Sequence, residues 1–385
     1  MTWPTARLEE ISEINPRLGS VLGEGDEVSF LGMADVSELG STSLGISRTY
    51  GEVKKGYTAF ADGDLLFAKI TPCFENGKIA QAQLEHPIGF GSTEFHVVRA
   101  DEERADTRYL LHLIRGPEVR SAGQRRMTGS GGQQRVPADF LRSIQIPLPP
   151  LTDQRRIAAI LDQADELRTK RRHALTLLDE LADSAFEELQ ASSAELASTH
   201  SLEEIGIWRS GGTPSRAVPE YFAGSIPWAT SGELNSMFIR TTKELISETA
   251  VSESAARYIP QGSLLLGMYD TAALKSAIAA IPMTCNQAIA FGVLDKHKAL
   301  PEFVYFAVQA KRAEVLLLQR GIRQKNLNLG IIKGITIQVP PLDVQREFLA
   351  VIEQINSLRL SYLVGLAHSD ELFACLQHRA FRGEL

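Results

Sequence analysis

The 385-residue sequence contains only three cysteines and no long uninterrupted run of apolar residues. Cys73, Cys285 and Cys375 are far apart and odd in number, which argues against a disulfide framework or a thiolate metal site. We therefore expect three free, buried thiols and a reducing, cytoplasmic environment. No segment approaches the about 18 apolar residues of a membrane-spanning helix, and the first residues do not resemble a signal peptide. The sequence thus predicts neither secretion nor membrane insertion.

Motifs that carry chemistry are also missing from the sequence. It contains no Gly-x-x-x-x-Gly-Lys, His-Glu-x-x-His, Gly-x-Ser-x-Gly or Cys-x-x-Cys pattern, and no Asn/Asp-Pro-Pro-aromatic stretch of the kind that amino-methyltransferases use. The eight histidines are scattered singly, and no pair of acidic residues has the spacing of a catalytic pair. We predict no catalytic residue, no metal ligand and no cofactor.

The composition is that of a globular protein, with 44% hydrophobic and 23% charged residues and a net charge of −7. Two stretches depart from this acidic balance. Residues Arg115 to Arg142 include six arginines against two acidic residues, and Lys311 to Lys333 include six basic residues against Glu314. Ordinary solvated surface and an electrostatic footprint for a polyanion both remain open as explanations.

A long helix is predicted near the middle of the chain. Pro149 and Pro150 precede it, Thr152 and Asp153 can cap its first turn, and no Gly or Pro follows before Leu189. The helix is expected to begin near Asp153 and to extend roughly 54 Å at about 1.5 Å per residue. Its apolar positions form a heptad seam, which requires a partner helix. The seam residues are Ile157, Ile160, Ala164, Leu167, Ala174, Leu178, Leu181 and Ala185.

An internal repeat supplies that partner. Shifting the sequence by 191 residues aligns Ile146–Arg168 with Ile337–Arg359, and ten of the 23 positions are identical. The same shift transfers the seam to Phe348, Val351, Ile355, Leu358 and Tyr362. We expect an α+β protein in which a pair of long antiparallel coiled-coil helices separates two β-rich domains, related by a pseudo-two-fold repeat. The expected segments are residues 1–150 and 199–340 for the domains, and 151–198 and 341–385 for the helices.

Short apolar runs separated by Gly, Pro, Asn and Ser predict the β-rich character of residues 12–100 and of the matching part of the second half. Near the end of each domain, a predicted helix (Tyr109–Arg115 and Phe303–Lys311) leads into a basic loop that contains Gly and Gln. These loops are Thr128–Pro137, with the sequence TGSGGQQRVP, and Arg320–Gly330, with the sequence RGIRQKNLNLG.

The repeat aligns Gln133, Gln134 and Arg135 of the first loop with Gln324, Lys325 and Asn326 of the second. Gln and Asn can form paired hydrogen bonds with an adenine edge, and Arg can do so with a guanine edge. Glycine allows backbone amides to approach phosphate oxygens. An ordinary polar surface loop remains the alternative for either loop taken alone.

Several of these motifs resemble the specificity subunit of a Type I restriction-modification system. PPLTDQRRIAAIL and PPLDVQREFLAVI are similar to the Pro-Pro-Leu-x-x-Gln-x-x-Ile start of that family's long helices. SGGTPSR at Ser210–Arg216, with the IPW sequence at Ile226–Trp228, resembles the opening of its recognition domains, and AFRGEL at Ala380–Leu385 resembles its last helix end. The first domain lacks the Gly-Gly-Thr-Pro signature.

The resemblance implies two target-recognition domains that read the two halves of a bipartite, asymmetric site in double-stranded DNA. The helix pair would set the unread spacer between the half-sites. The protein would catalyse nothing itself and would bring methyltransferase subunits, expected to be two, and restriction or translocase subunits to the site, with no membrane partner. The predicted base contacts are Gln133, Gln134, Arg135, Gln324, Lys325 and Asn326. The predicted phosphate contacts are Arg125, Arg126, Arg320 and Arg323, with a further loop approach at Ser210, Gly211, Gly212 and Thr213.

Two other classes of function stay open at this point. One is a protein-only scaffold with two binding modules on a coiled-coil spacer, which the acidic net charge favours and the paired basic loops oppose. The other is a self-contained methyltransferase with fused recognition domains, which the missing cofactor and catalytic motifs oppose. The sequence does not indicate which bases are read.

Overall fold

Short β-strands and two long helices make up most of the chain. The computed structural model describes residues 3–19, 21–130, 132–269, 273–320 and 327–385, without the side chains of 316–320. Two compact units are formed, one by Met1–Leu175 with Ser361–Leu385 and the other by Thr176–Leu360. Each unit combines sheets with segments of both long helices, so the predicted α+β class is confirmed. The domain boundaries at 150, 198 and 340 remain predictions.

The first unit contains the strands and helices of the amino-terminal half. Its strands are β1 Thr5–Arg7, β2 Ser12–Ile14, β3 Glu27–Leu31, β4 Ile46–Thr49, β5 Thr58–Ala61, β6 Leu65–Ala68, β7 Ile79–Gln81, β8 Ile88–Gly91, β9 Phe95–Ala100 and β10 Gln145–Pro147. Its helices are α1 Tyr50–Val53, α2 Thr107–Ile114, α3 Pro117–Gln124, α4 Ala138–Ser143 and the first part of α5 Leu151–Ser192.

The second unit has a similar, but not identical, order of elements. Its strands are β11 Ser198–Ser201, β12 Gly206–Ser210, β13 Ile226–Ala229, β14 Phe238–Ile239, β15 Glu244–Ile246, β16 Leu264–Gly267, β17 Ser276–Ala279, β18 Thr284–Cys285, β19 Ile289–Leu294 and β20 Thr336–Val339. Its helices are α6 Glu248–Glu253, α7 Pro301–Arg320, α8 Leu329–Gly334 and the first part of α9 Leu342–Ala380.

The sheet topology shows that the repeat extends to the fold. One sheet follows the order β2-β9-β6-β7 in the first unit and β12-β19-β16-β17-β14 in the second. A second sheet, β4-β3-β8-β5 or β15-β13-β18, contains one parallel pair in each unit, β3 with β8 or β13 with β18. A two-stranded antiparallel sheet, β1 with β10 or β11 with β20, precedes each long helix.

Each unit has its own hydrophobic core between a sheet and the helices. In the first unit, Leu65 of β6, Tyr109 of α2 and Ile157 of α5 belong to one buried cluster. In the second unit, Leu264 of β16 and Phe303 of α7 belong to the corresponding cluster, together with side chains of α5 and α9. The long helices are therefore part of the core of each unit.

The two long helices begin in the same way. They start at Leu151 and Leu342, two residues earlier than the Asp153 start predicted for the first helix and directly after the Pro-Pro pair. The buried side chain of Gln154 donates to the carbonyl groups of Pro149 and Arg104 at 2.8 and 3.0 Å, and it accepts from the Asp106 N–H at 2.9 Å.

Gln345 forms the same three hydrogen bonds in the second unit. Its amide nitrogen donates to the carbonyls of Pro340 and Lys298 at 2.8 and 3.1 Å, and its amide oxygen accepts from the Leu300 N–H at 2.9 Å. In each unit, two of these bonds join the start of the long helix to the segment that leads into α2 or α7, and the third goes to the Pro-Pro pair before the long helix. The glutamine of the Pro-Pro-Leu-x-x-Gln motif is therefore a structural residue in both units.

The heptad seam was predicted correctly at half of its positions. On α5, Ile157 and Ala164 are buried and Leu178 and Ala185 pack against the core, but Leu167 and Leu181 are exposed. Three further inward positions lie one residue later than a predicted one. They are Leu161, Arg168 and Ala182.

The same one-residue displacement occurs on α9. Phe348 and Ile355 are buried as predicted, whereas Val351, Leu358 and Tyr362 are exposed and Ile352 is buried. At Val351 and Ile352 both neighbours are apolar, so the apolar pattern alone could not decide which one faces inward. At Leu167 the prediction was wrong because it took the apolar residue, whereas the inward side chain is the charged Arg168.

Charged side chains join the two helix segments of the first unit. Arg168 donates to Asp165 at 2.7 Å and to Asp370 at 2.6 Å, and its guanidinium lies 4.3 Å above the centre of the Phe373 ring. Arg171 donates to the Gly365 carbonyl and, at 2.5 Å, to the Ser369 hydroxyl. Because residues later in α5 meet residues earlier in α9, the two segments are antiparallel in this unit.

The same unit contains a second charged contact, between α2 and α5. Asp162 accepts from Arg108 at 2.5 Å and from the buried His112 ring at 2.7 Å. Burial alone would raise the pKa of Asp162, but the hydrogen bonds from His112 and Arg108 outweigh it and lower the pKa to about 2. The carboxylate therefore stays ionised at neutral pH.

Aromatic side chains join the helix segments of the second unit. The Phe186 ring of α5 lies 5.5 Å from that of Phe348 on α9, and Phe306 of α7 lies 5.2 Å from Phe348. Asp179, which precedes Phe186 on α5, forms an ion pair at 3.1 Å with Arg359, which follows Phe348 on α9. The helix segments of this unit are thus also antiparallel, and both aromatic and charged contacts join them.

The cysteine prediction was correct in part. All three thiols are free, but only Cys285 is buried, while Cys73 is half-buried and Cys375 is exposed. Cys375 lies on the outward side of α9, which the periodicity of the apolar residues did not resolve. Among the described residues, no helix is both long and apolar enough to cross a membrane.

Candidate nucleic-acid interface

The loop at Thr128–Pro137 of the first unit is closed by its own backbone. The Thr128 N–H donates to the Arg135 carbonyl at 3.0 Å, and the Arg135 N–H donates to the Thr128 carbonyl at 2.8 Å. Gly129 and Gly132 have φ angles of +128° and +78°, which side-chain-bearing residues rarely adopt. These two glycines let the chain reverse between the paired residues.

Thr71 holds this loop against a neighbouring segment. Its hydroxyl donates to the Gly132 carbonyl at 2.6 Å and accepts from the Gln134 N–H at 3.1 Å. Its own N–H donates to the Gln134 carbonyl at 3.0 Å. The backbone on both sides of Gln133 is therefore fixed from outside the loop.

Two of the predicted base contacts in this loop point toward solvent. Gln133 and Gln134 are both exposed at the tip of the loop, so their amide groups can reach a partner. The predicted phosphate contacts Arg125 and Arg126 follow α3 directly and are also exposed, and Arg125 donates to the Ser121 hydroxyl at 2.7 Å. Four of the predicted residues of the first unit are thus exposed to solvent.

The basic stretch that contains these residues is less positive than its composition suggests. Arg115 pairs with Asp165, Arg135 with Glu94 and Arg142 with Asp139. Arg125 and Arg126 form no ion pair with any described residue, so no neighbouring carboxylate compensates their charge. Half of the predicted footprint is therefore neutralised inside the domain.

Arg135 is held by Glu94, a residue that the sequence analysis did not identify. Its Nε donates to the carboxylate at 2.9 Å and its Nη2 donates at 2.7 Å. The hydrogen bond from Arg135 is the main cause that lowers the pKa of Glu94 below its usual value, so the carboxylate is charged. The two residues are 41 positions apart in the chain, and no local pattern indicated the pair.

A short hydrogen-bonded frame supports this pair. The Lys69 N–H donates to the Glu94 carbonyl at 2.9 Å, and the Val136 N–H donates to the Lys69 carbonyl at 2.8 Å. Three chain segments thereby meet directly behind the loop: the end of β6, the start of β9 and the residue after Arg135. We call these backbone contacts the loop frame.

The second unit has the same loop frame. The Met268 N–H donates to the Ala288 carbonyl at 2.9 Å, and the Leu327 N–H donates to the Met268 carbonyl at 2.8 Å. The structure therefore places Met268 where the first unit has Lys69, and Ala288 where it has Glu94. The backbone is repeated, but the side chains that it presents are different.

The other predicted contacts of the second unit lie mostly outside the described residues. Arg323, Gln324, Lys325 and Asn326 are in the range 321–326, and the side chain of Arg320 is likewise not described. These assignments stay predictions that rest on the sequence repeat.

The Ser-Gly-Gly-Thr segment at Ser210–Thr213 is largely packed inside the second unit. The Gly211 N–H donates to the Ile289 carbonyl and the Gly212 N–H to the Cys285 carbonyl, both at 2.9 Å. A β-carbon at Gly212 would lie 2.1 Å from the Ala255 carbonyl oxygen, so a larger residue does not fit there. The signature is explained by close backbone packing.

This packing bears on the predicted DNA approach of that segment. Gly211 and Gly212 are buried, and the Gly212 carbonyl accepts from the Trp228 ring N–H at 3.1 Å. Thr213 is exposed and its hydroxyl is hydrogen-bonded to Gln287. Of the four predicted residues, Thr213 has the surface that a DNA contact needs, and the role of Ser210, Gly211 and Gly212 in such a contact stays a prediction.

Comparison with known proteins agrees with this doubled arrangement. The family model for the Type I restriction modification DNA specificity domain matches residues 1–177 and 197–361. The EcoEI and EcoAI Type I restriction enzyme specificity subunits of Escherichia coli are each 41% identical over 184 residues, which cover 46% of this chain and 30% of each relative. The match therefore spans less than a third of the length of these relatives.

A solved structure shows the same fold over nearly the whole chain. The Type I restriction-modification system S subunit from M. genitalium has a TM-score of 0.59 and 12% sequence identity, and the alignment covers 98% of this chain and 96% of that one. At that level of identity the likeness concerns the fold alone.

Proposed function

Because the chain belongs to the family of Type I restriction modification DNA specificity domains, we propose that it is a specificity subunit that binds a bipartite, asymmetric site in double-stranded DNA. The observation that supports this proposal is the loop frame, which occurs once in each unit with different side chains. Two domains with one backbone and different side chains would recognise two different half-sites. The protein-only scaffold considered above is not favoured by this family membership.

In the first unit, the proposal assigns phosphate contacts to Arg125 and Arg126. Both are exposed and follow α3 at the edge of the loop, where a duplex backbone can approach. Base contacts are assigned to Gln133, Gln134 and Arg135, whose side chains carry the paired donors and acceptors that base edges require. In the second unit, Arg320, Arg323, Gln324, Lys325, Asn326 and Thr213 take the corresponding roles.

The subunit is proposed to act without catalysing a reaction and without a cofactor. It would bring methyltransferase subunits, two of them, and restriction or translocase subunits to the DNA site. Exposed apolar side chains on the long helices support protein partners, since such side chains are typical of contact surfaces. They include Leu358 and Leu360 in the second unit, and Leu363 and Val364 in the first. A cytoplasmic location is part of the proposal and is supported by the three free cysteines.

The salt dependence of DNA binding tests the interface. Each lost phosphate contact is expected to lower the slope of log K against log salt by about 0.9. We expect R125A and R126A each to weaken binding and to reduce the slope by about that amount, and R320A and R323A to do the same. The measurement is fluorescence anisotropy of labelled target duplex with the full chain and its methyltransferase subunits, at several salt concentrations.

Lys170→Ala is the matched control, because it removes one exposed positive charge from α5, where Lys170 pairs with Glu166. Its slope is expected to equal that of the wild-type protein. If an arginine variant behaves like this control, that arginine does not contact DNA. If the wild-type complex binds every duplex with equal affinity, the proposed function itself is wrong.

A further inference from the structure

The ion pair between Arg135 and Glu94 leaves one edge of the guanidinium available. Glu94 accepts from Nε at 2.9 Å and from Nη2 at 2.7 Å, which occupies the side edge of the fork. The end edge, formed by Nη1 and the second hydrogen of Nη2, makes one long contact of 3.5 Å with the Gln133 carbonyl. The side chain of Arg135 is 42% exposed.

That end edge matches the acceptors of a guanine. In the major groove, guanine presents O6 and N7, and arginine reads them with two parallel N–H donors. A carboxylate on the side edge does not interfere with this contact, since an arginine fork has five N–H donors. Two of them go to Glu94, and an outer pair remains.

We propose that Arg135 reads a guanine in the half-site bound by the first unit, and that Glu94 is the positioning residue that holds its guanidinium for that contact. This inference rests on the proposed DNA-binding function and adds a base and a residue to it. Glu94 acts through Arg135 and is not itself assigned a base.

The loop frame and Thr71 give this pair a fixed support. The Glu94 carbonyl is bonded to Lys69, the backbone of Arg135 is paired with Thr128, and the hydroxyl of Thr71 holds the chain on both sides of Gln133. A side chain that is already oriented loses less conformational freedom on binding than a mobile one. The guanidinium is therefore placed before DNA arrives.

The second unit shows that the frame does not require the ion pair. Ala288 occupies the place of Glu94, and Met268 occupies that of Lys69, yet the same backbone hydrogen bonds form at 2.8 and 2.9 Å. If the Glu94 carboxylate served only to hold the frame together, its replacement by alanine in the second unit would be unexpected. A difference in the bases that the two units read accounts for it.

The ion pair of Glu94 and Arg135 has no net charge. Its effect on base preference can therefore be measured separately from the effect of a phosphate contact on the salt dependence of binding. Replacing both members by Gln, in Glu94→Gln with Arg135→Gln, removes one negative and one positive charge. The net charge of the surface stays the same, and so should the salt slope of binding. A bidentate arginine contact discriminates against the wrong base by about tenfold or more.

The experiment measures base preference at every position of the recognised site. The full chain, assembled with its methyltransferase subunits, is incubated with a library of duplexes in which each half-site position is varied in turn, and bound or methylated sequences are counted. For the E94Q/R135Q variant we expect the preference for one G·C pair in one half-site to fall about tenfold or more. Preferences in the other half-site and the salt slope should not change.

Two further variants protect the test against a folding defect. R135K keeps the charge but not the planar fork, so it should lose the same G·C preference. D139N/R142Q is the matched control, because Asp139 and Arg142 form another exposed pair in the same domain at 2.6 Å. It should keep every preference of the wild-type protein.

The outcomes separate this inference from the proposal beneath it. If the wild-type complex selects a bipartite site and E94Q/R135Q selects the same site with the same preferences, the inference is overturned while the DNA-binding function stands. If the wild-type complex selects no sequence, both are overturned. Loss of one G·C preference in E94Q/R135Q and R135K, but not in D139N/R142Q, supports the inference.

Discussion

Gln154 and Gln345 show how a single residue type can organise both units. Each side chain is buried and uses one amide oxygen and one amide nitrogen to bond three backbone groups. Buried backbone groups without partners are costly, and these glutamines satisfy groups that the helix start and the preceding segment leave open. The motif residue that helped to identify the family therefore has a structural explanation, which the sequence alone did not supply.

We expect Q154A to destabilise the first unit by about 1–3 kcal/mol, because a buried group that loses its hydrogen-bond partner costs that much. The Asp106 N–H would lose its acceptor, and its hydrogen exchange should become faster. Urea unfolding and hydrogen exchange of the Asp106 amide measure both effects. Gln163→Ala on the exposed side of α5 is the control, and identical unfolding of the two variants would contradict this role.

The long helices show how the structure selects one stripe of residues where a sequence pattern allows two. On α5, the side chain of Leu161 is 0% exposed and that of Leu167 is 42% exposed. The inward residue is Leu161 where Ile160 was predicted, and Arg168 where Leu167 was predicted. On α9, Ile352 is 4% exposed and Val351 is 44% exposed. In the first unit the chosen stripe includes Arg168, because Asp165 and Asp370 supply partners for its charge. The charged contact thus sets which face turns inward.

At the element scale, the two leucines of α5 should respond differently to truncation. L161A is expected to destabilise the first unit by about 2–5 kcal/mol, since it removes buried methyl groups and leaves a cavity. L167A is expected to change the free energy of unfolding by about 0.5 kcal/mol or less, as surface substitutions usually do. Chemical denaturation followed by circular dichroism compares the two. Equal losses would contradict the assignment of Leu161 to the inward side of α5 and of Leu167 to the exposed side.

The doubled topology would allow one polypeptide to carry the two proposed DNA-recognition domains. Both units share the strand order β2-β9-β6-β7 or β12-β19-β16-β17, the same helix start and the same loop frame. What differs is the set of side chains at the frame, with Lys69 and Glu94 in one unit and Met268 and Ala288 in the other. A repeated scaffold with changed side chains is the arrangement that the proposed asymmetric bipartite site would require.

The sequence predicts that helix length sets the spacer between the half-sites, and shortening the helices tests this. Removing seven residues from α5 and seven from α9 keeps the helical phase, because seven residues are close to two turns, and shortens each helix by about 10 Å. At about 3.4 Å per base pair, the recognised spacer should lose about three base pairs. The half-site sequences should stay the same.

Mapping of methylated sites in cells that carry the shortened chain measures the spacer. Deleting five residues from Gln154–Leu189 alone would also be expected to change the spacer, although it shifts the helical phase. If the map of the seven-residue deletion shows the original spacer, helix length does not set it.

The α+β class, the internal repeat, both long helices and the family could be predicted from the amino-acid sequence, because repeats, periodicity and motifs are properties of residue order. The folded chain was needed to show which stripe of each helix faces inward, that Gly211 and Gly212 are packed against backbone, and that Arg135 is paired with Glu94. Each of these depends on contacts between residues far apart in the chain, whose distances and partners are set by packing and charge neutralisation and leave no local pattern in the sequence.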